Sequence, residues 1–144
     1  MLSVHGWFYW ALLSAVFAAM TAIFAKIGLQ GVNSDYATLI RTFVILLVLS
    51  GFVYFTGSWS DPFALSQKNW LFLTLSGLAT GASWVCYFRA LQMGDASKVA
   101  PVDKFSVVLV AFFAVIFLNE RPSLREWLGI VLVTAGVVVL SFRR

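Results

Sequence analysis

Charge is what this sequence has least of. Among its 144 residues only 11% are Asp, Glu, Lys or Arg, and six acids stand against ten lysines and arginines. A soluble domain carries about 25% charged residues. With 61% hydrophobic residues and a mean hydropathy of +0.92, this chain cannot cover itself with polar surface. Cysteine and histidine occur once each, as Cys86 and His5. That excludes an intrachain disulfide and the usual intrachain zinc set, so no metal or cofactor is expected. A phosphate-cradling glycine loop, a Ser-His-acid or Cys-His set and a paired-carboxylate motif are also missing, so no enzyme is expected. No basic stripe interleaved with aromatics is present, which argues against nucleic acid. The net charge of +4 then reads as membrane topology. The opening MLSVHGWFYW lacks the positive region that precedes a signal-peptide core, so its apolar run is expected to be retained as a span.

Long apolar runs are what the chain has instead. Crossing about 30 Å of hydrocarbon takes about 20 apolar residues. Five runs qualify, at about 6–29, 36–56, 70–93, 99–118 and 124–142. Backbone groups in lipid must bond internally, so all five are expected to be helices. The alternation of a membrane barrel is missing. The expected fold is an all-α integral membrane protein with one domain, 1–144, embedded in the lipid bilayer. Small residues mark three spans: Ala11, Ala15, Ala18, Ala22 and Ala25; Gly77 and Gly81 as GxxxG; Gly129 and Gly136. Such faces predict close helix packing or, failing that, a groove.

Five spans place the first, third and fifth exits on one face. That face collects Lys26, Arg41, Arg89, Lys98, Lys104, Arg143 and Arg144, against Lys68, Arg121 and Arg125 on the other. The positive-inside rule makes the first face cytoplasmic. Trp7, Trp10, Trp59, Trp70 and Trp127 fall near the opposite face, as an interfacial belt would. Setting aside Lys26, Arg41, Arg89 and Lys104, which lie in or at the ends of spans, leaves three cations on each side. Such a balance permits insertion in either orientation.

Those span-embedded charges demand an explanation, because each costs about 2.5–3.5 kcal/mol at mid-span on insertion scales. In Asp95–Arg121 the chain begins polar, turns at Pro101, and sets Asp103 and Lys104 before a run in which every residue from Phe105 to Leu118 but Ser106 is apolar. Asp103 reads as the one carboxylate inside a span. Lys26, Arg41, Arg89, Asp103 and Lys104 approach one face and sum to +3; Asp35, Asp95 and Lys98 bring this to +2. Anchoring and structural ion pairs account for part of that charge; the remainder favours an anionic partner. Trp84, Tyr87 and Phe88 form an i, i+3, i+4 aromatic face beside Arg89, suited to core packing or to an organic solute. Glu120, Arg121 and Pro122 read as a helix stop. His5 reads as interfacial, and Cys86 as a small core residue.

The segments GDASKVAPVDKFS (94–106) and LNERP (118–122), with Gly129 and Ala135-Gly136-Val137, resemble the EamA domain of the drug/metabolite transporter superfamily. FAKIGL (24–29), with Asp35 and Arg41-Thr42, is similar to its short five-helix members. The resemblance covers the whole chain. It implies a single EamA-type repeat, half of a ten-helix transporter, with substrate held centrally between two halves of opposite topology. A single repeat must then pair, and a homodimer, antiparallel by preference, in the cell inner membrane is expected. Four-helix relatives export cations using a Glu in the first helix, and the first span here has no acid. The expectation is therefore a secondary transporter of a small polar or anionic organic metabolite. Arg41, Arg89 and Lys104 would hold its polar end and Trp84 and Tyr87 its organic part, with Asp103 and Lys26 as coupling or ion-pair residues. The alternatives are a non-transporting accessory subunit pairing with another half, or an exporter of cationic compounds.

Overall fold

A computed structural model describes residues 6–141. The expectation for His5, the topological charges Arg143 and Arg144 and the end of the fifth span at Phe142 lie outside the described residues. Six α-helices follow one another: α1 (Gly6–Gly28), α2 (Ser34–Phe55), α3 (Gln67–Met93), α4 (Ala96–Asp103), α5 (Ser106–Phe117) and α6 (Leu124–Ser141), with a 3-10 turn at Pro62–Ala64. No strand occurs among the described residues. Taking α4 and α5 as one run, five helical stretches are long and apolar enough to cross a membrane.

Local chemistry sets the boundaries. The Asn33 side chain accepts from the N–H groups of Asp35 (2.9 Å) and Tyr36 (3.2 Å), so α2 starts at Ser34 and takes Asp35 into its first turn. Ser66 Oγ accepts from the Asn69 N–H at 3.1 Å, which starts α3 ahead of its apolar run. Ser123 and Glu126 form a reciprocal capping box at α6. Gly31 and Gly57 take positive φ (73° and 64°) in the turns after α1 and α2, conformations open to a residue without Cβ.

The fourth span departs from expectation. The chain does not turn at Pro101; Pro101 lies inside α4, and the break comes at Lys104–Phe105. Proline has no N–H to give and its ring crowds the carbonyl four residues back. The chain tightens downstream into i→i−3 bonds, Lys104 N–H to Pro101 O (3.1 Å) and Phe105 N–H to Val102 O (3.0 Å), before α5 resumes. Within the spans, hydroxyls bond their own helix one turn back: Thr38 to Ser34 O, Thr42 to Thr38 O, Thr80 to Ser76 O and Thr134 to Ile130 O, each at 2.8 Å. A hydroxyl satisfied in this way makes no demand on lipid.

The chain forms two compact units, Met1–Ile23 with Gly94–Arg144, and Phe24–Met93. In the first, α4 and α5 pack on α6, and Ala114 and Val137 are buried. In the second, α2 packs on α3, with Leu29, Ser34, Thr38, Phe88 and Leu91 buried. Ser34, Thr38, Arg41 and Ile45 form the inward stripe of α2, spaced i, i+4, i+7, i+11; Trp84, Phe88 and Leu91 form that of α3. Most other apolar side chains of the spans face outward, including the tryptophans of the expected belt. A Cβ built at Gly77, Gly81 or Gly136 would meet nothing within 4 Å, so among the described residues nothing of its own unit closes on any of these positions. Cys86 corrects the expectation of a core residue: it is exposed, on the outer side of α3.

Candidate functional site

In the second unit the charges gather where the two inward stripes meet. Arg41, half-buried on α2, lays its guanidinium over the Trp84 ring at 4.4 Å and reaches the Phe88 ring at 5.2 Å. Among the described residues no carboxylate pairs with it. A cation over an aromatic face gains about 0.5–2 kcal/mol, more as water is excluded. The rings satisfy the faces of the guanidinium and leave its edge, which carries the N–H donors. That edge suits a bidentate carboxylate or phosphate.

The other cations have internal partners. Arg89 forms a two-pronged bond with Asp35, Nε to Oδ1 at 3.0 Å and Nη2 to Oδ2 at 2.8 Å. The expectation of Asp103 as the one carboxylate within a span thus needs correction. Asp35, assigned to a loop, belongs to α2, because the Asn33 cap starts that helix earlier than the apolar run suggests. Lys26 Nζ donates to Leu91 O at 2.6 Å, meeting one of the last four carbonyls of α3, where the helix dipole favours a cation. Gln92 Nε2 donates to Val32 O at 2.9 Å and ties the α1–α2 turn to α3. Together these bonds tie α2 and the α1–α2 turn to α3 at this end of the unit.

The structure therefore brings Arg41, Arg89, Trp84, Lys26 and Asp35 together within one unit. Tyr87, expected to contact substrate, is half-buried on α3 and makes an edge contact with Phe88 (centroids 6.4 Å apart). Phe88 supplies the second ring within cation–π reach of Arg41. Lys104 and Asp103 belong to the other unit, where Lys104 Nζ stands 3.5 Å from Asp103 Oδ2 at the α4–α5 break. Asn33, Gln92 and Asp35 shape this region without standing out in the sequence. The Asn33 cap was the available signal.

Among the described residues no group of His, Cys, Asp or Glu could hold a metal ion. The arrangement offers a fixed positive edge flanked by aromatic surface inside a membrane-spanning pair of helices. Recognition of an organic anion is the chemistry it suits.

The comparisons with known proteins agree with this frame. Residues 5–142 match the EamA-like transporter family. The chain is similar to an "Uncharacterized transporter in cobO 3'region" of Sinorhizobium sp, 57% identical over 137 residues, covering 95% of this chain and 97% of that protein. It is also similar to "Uncharacterized transporter YxxF" of Bacillus subtilis, 28% identical over 136 residues, 94% of this chain but only 42% of that protein. A third relative is the "Probable 4-amino-4-deoxy-L-arabinose-phosphoundecaprenol flippase subunit ArnE" of Yersinia pestis, 33% identical over 89 residues, covering 58% of this chain and 75% of that one. No solved structure matches. With five membrane-spanning helical stretches and a family match over nearly its full length, the chain is a multi-pass membrane protein that belongs to the EamA-like transporter family.

Proposed function

We propose that this chain is one half of a secondary transporter for a small organic anion, assembled as an antiparallel homodimer in the cell inner membrane and working by alternating access. The observation that carries the reading is Arg41: a half-buried cation within a span, held over Trp84 and Phe88, with no carboxylate on it among the described residues. Uncompensated charge in a span is expensive unless a ligand supplies the countercharge. The guanidinium edge takes the carboxylate or phosphate and Trp84 and Tyr87 contact the organic part. Arg89 adds positive field there while held by Asp35, and Lys104, held by Asp103 in the other unit, is proposed as a further solute-binding cation. The Asp103–Lys104 pair of the one unit and Lys26 of the other are each proposed as coupling or ion-pair residues.

Three observations support the pairing. Matching 42% of the Bacillus relative while covering 97% of the Sinorhizobium one fits a half-length chain that needs a second copy. The Gly77/Gly81 face lies open, ready for close approach of another helix. The balanced loop cations permit both insertions. The Yersinia relative's named substrate contains a phosphate, in keeping with an anion site.

The test uses protein in nanodiscs and a thermal-shift panel of organic carboxylates, phosphates and amines. A ligand at 100 times its Kd stabilises the folded state by about 2.7 kcal/mol. Arg41→Gln is expected to abolish the anion-induced shift while leaving the ligand-free melting temperature close to wild type. An undiminished shift in Arg41→Gln, Arg89→Gln and Lys104→Gln alike would remove the assignment.

A second reading, an accessory subunit pairing with an unlike half, is favoured by the word "subunit" in the Yersinia relative's name. Co-purification of a second, different five-helix chain selects it; a dimer mass of the single chain selects the homodimer.

A further inference from the structure

We propose that the first unit holds a membrane lipid between α5 and α6, and that this site selects a headgroup carrying both an amine and a phosphate. A cavity of about 760 Å³ lies there, within the range of roughly 300–1,000 Å³ typical of small-molecule sites. Val107, Val110, Ala114, Ile130 and Val133 form apolar walls. Glu120, Arg121 and Glu126 sit at one end, where α5 hands over to α6. Gly129 lines the space, and a Cβ built on it meets nothing within 4 Å. From Val107 to Leu118 the wall rises about 16 Å at 1.5 Å per residue, room for much of one leaflet's acyl chain.

The occupant follows from the medium and from the charges. Both walls are spanning helices, so the molecules beside the groove are lipids. Its mouth reads acid–base–acid, two glutamates about one arginine. Asn119 takes a positive φ (54°), and the Glu120 N–H folds back to Ala114 O at 3.2 Å, which holds that turn over the end of α5. One oxygen of Glu126, Oε2, is occupied by Ser123; Oε1 remains for a donor. An amine placed between the glutamates leaves its phosphate beside Arg121, while a headgroup without the amine leaves the mouth with a net negative charge facing a phosphate. This site is separate from the Arg41 site and stands or falls without it.

Native mass spectrometry of detergent-extracted protein, given phosphatidylethanolamine or phosphatidylglycerol, tests the inference. These two lipids share the phosphate and tails and differ in the amine. Wild type is expected to retain one phosphatidylethanolamine per chain and to prefer it over phosphatidylglycerol by about fivefold or more, a difference near 1 kcal/mol. Gly129→Leu fills the groove and should cut retention of both lipids; Val133→Trp repeats the test from the neighbouring turn, with circular dichroism confirming helix content. Glu120→Gln should keep the lipid and lose the preference. Equal retention in wild type and both filling variants overturns the site, and no headgroup preference in wild type overturns its chemistry. Loss of dimer mass in Gly129→Leu with lipid unchanged would assign the groove to a second copy and overturn the lipid.

Discussion

Arg41 shows why geometry as well as charge decides a site. Guanidinium and ammonium differ here: a planar group stacks on Trp84 and still presents two parallel N–H donors, whereas a lysine offers a compact charge. Arg41→Lys is therefore expected to retain weak anion binding, at least about tenfold looser, the equivalent of 1.4 kcal/mol, and Arg41→Gln to show none; isothermal titration with the best ligand of the panel checks both. Trp84→Ala should weaken the same ligand without removing its anion selectivity. Lys26 has a different task. Its 2.6 Å bond closes the end of α3, and Lys26→Met is expected to cost about 1.5–3 kcal/mol of stability, the range for hydrogen bonds to charged groups, read by thermal unfolding in detergent. Arg41 and Trp84 stand out in the sequence because a charge and a tryptophan within apolar runs are unusual. The contact of Phe88 with Arg41 does not stand out, because adjacent residues on a helix lie about 100° apart and only packing fixes which rings reach the guanidinium.

At the scale of elements, caps and the proline break do the positioning. Asn33 sets the start of α2 and with it the place of Asp35, the partner of Arg89. Asn33→Ala is expected to lose about 1 kcal/mol, the usual value of an N-cap, and to loosen the Asp35–Arg89 pair; thermal unfolding and amide exchange at 34–37 read the two effects. Pro101→Ala restores a donor to α4 and removes the crowding of the Ser97 carbonyl within it. Amide protection over residues 104–107 is then expected to rise, and the Asp103–Lys104 pair to sit in a continuous helix. If protection there stays at the wild-type level, the proline is not the cause of the break. Element existence was plain from run length; the α4–α5 break was placed three residues too early because a proline can stay inside a helix near its C-terminal end, and the i→i−3 bonds at Lys104 and Phe105 mark the break instead.

At the scale of the whole molecule, the outward apolar faces need apolar cover. Lipid covers most of them, and the proposed second copy covers the Gly77/Gly81 face. An antiparallel pair makes a sharp prediction. With Cys86→Ser as background and Ser58→Cys in the exposed α2–α3 turn, a membrane-impermeant maleimide should label about half of the chains in intact cells, since balanced loop charges admit both orientations. Complete labelling, or none, would mean a single orientation and would rule out the antiparallel arrangement.

The amino-acid order alone determined the membrane, the number of spans and the family, because apolar run length against bilayer thickness is a one-dimensional property and the motifs at 94–106 and 118–122 are local. Tertiary structure alone decided that Asp35 answers Arg89 across 54 residues, that Arg41 lies over Trp84 and Phe88, and that Gly129 opens on a cavity. The physical reason is rotational. Helices that are apolar nearly all the way round carry little information about which side turns inward. That choice is made only when caps, ion pairs and side-chain volumes of different helices meet.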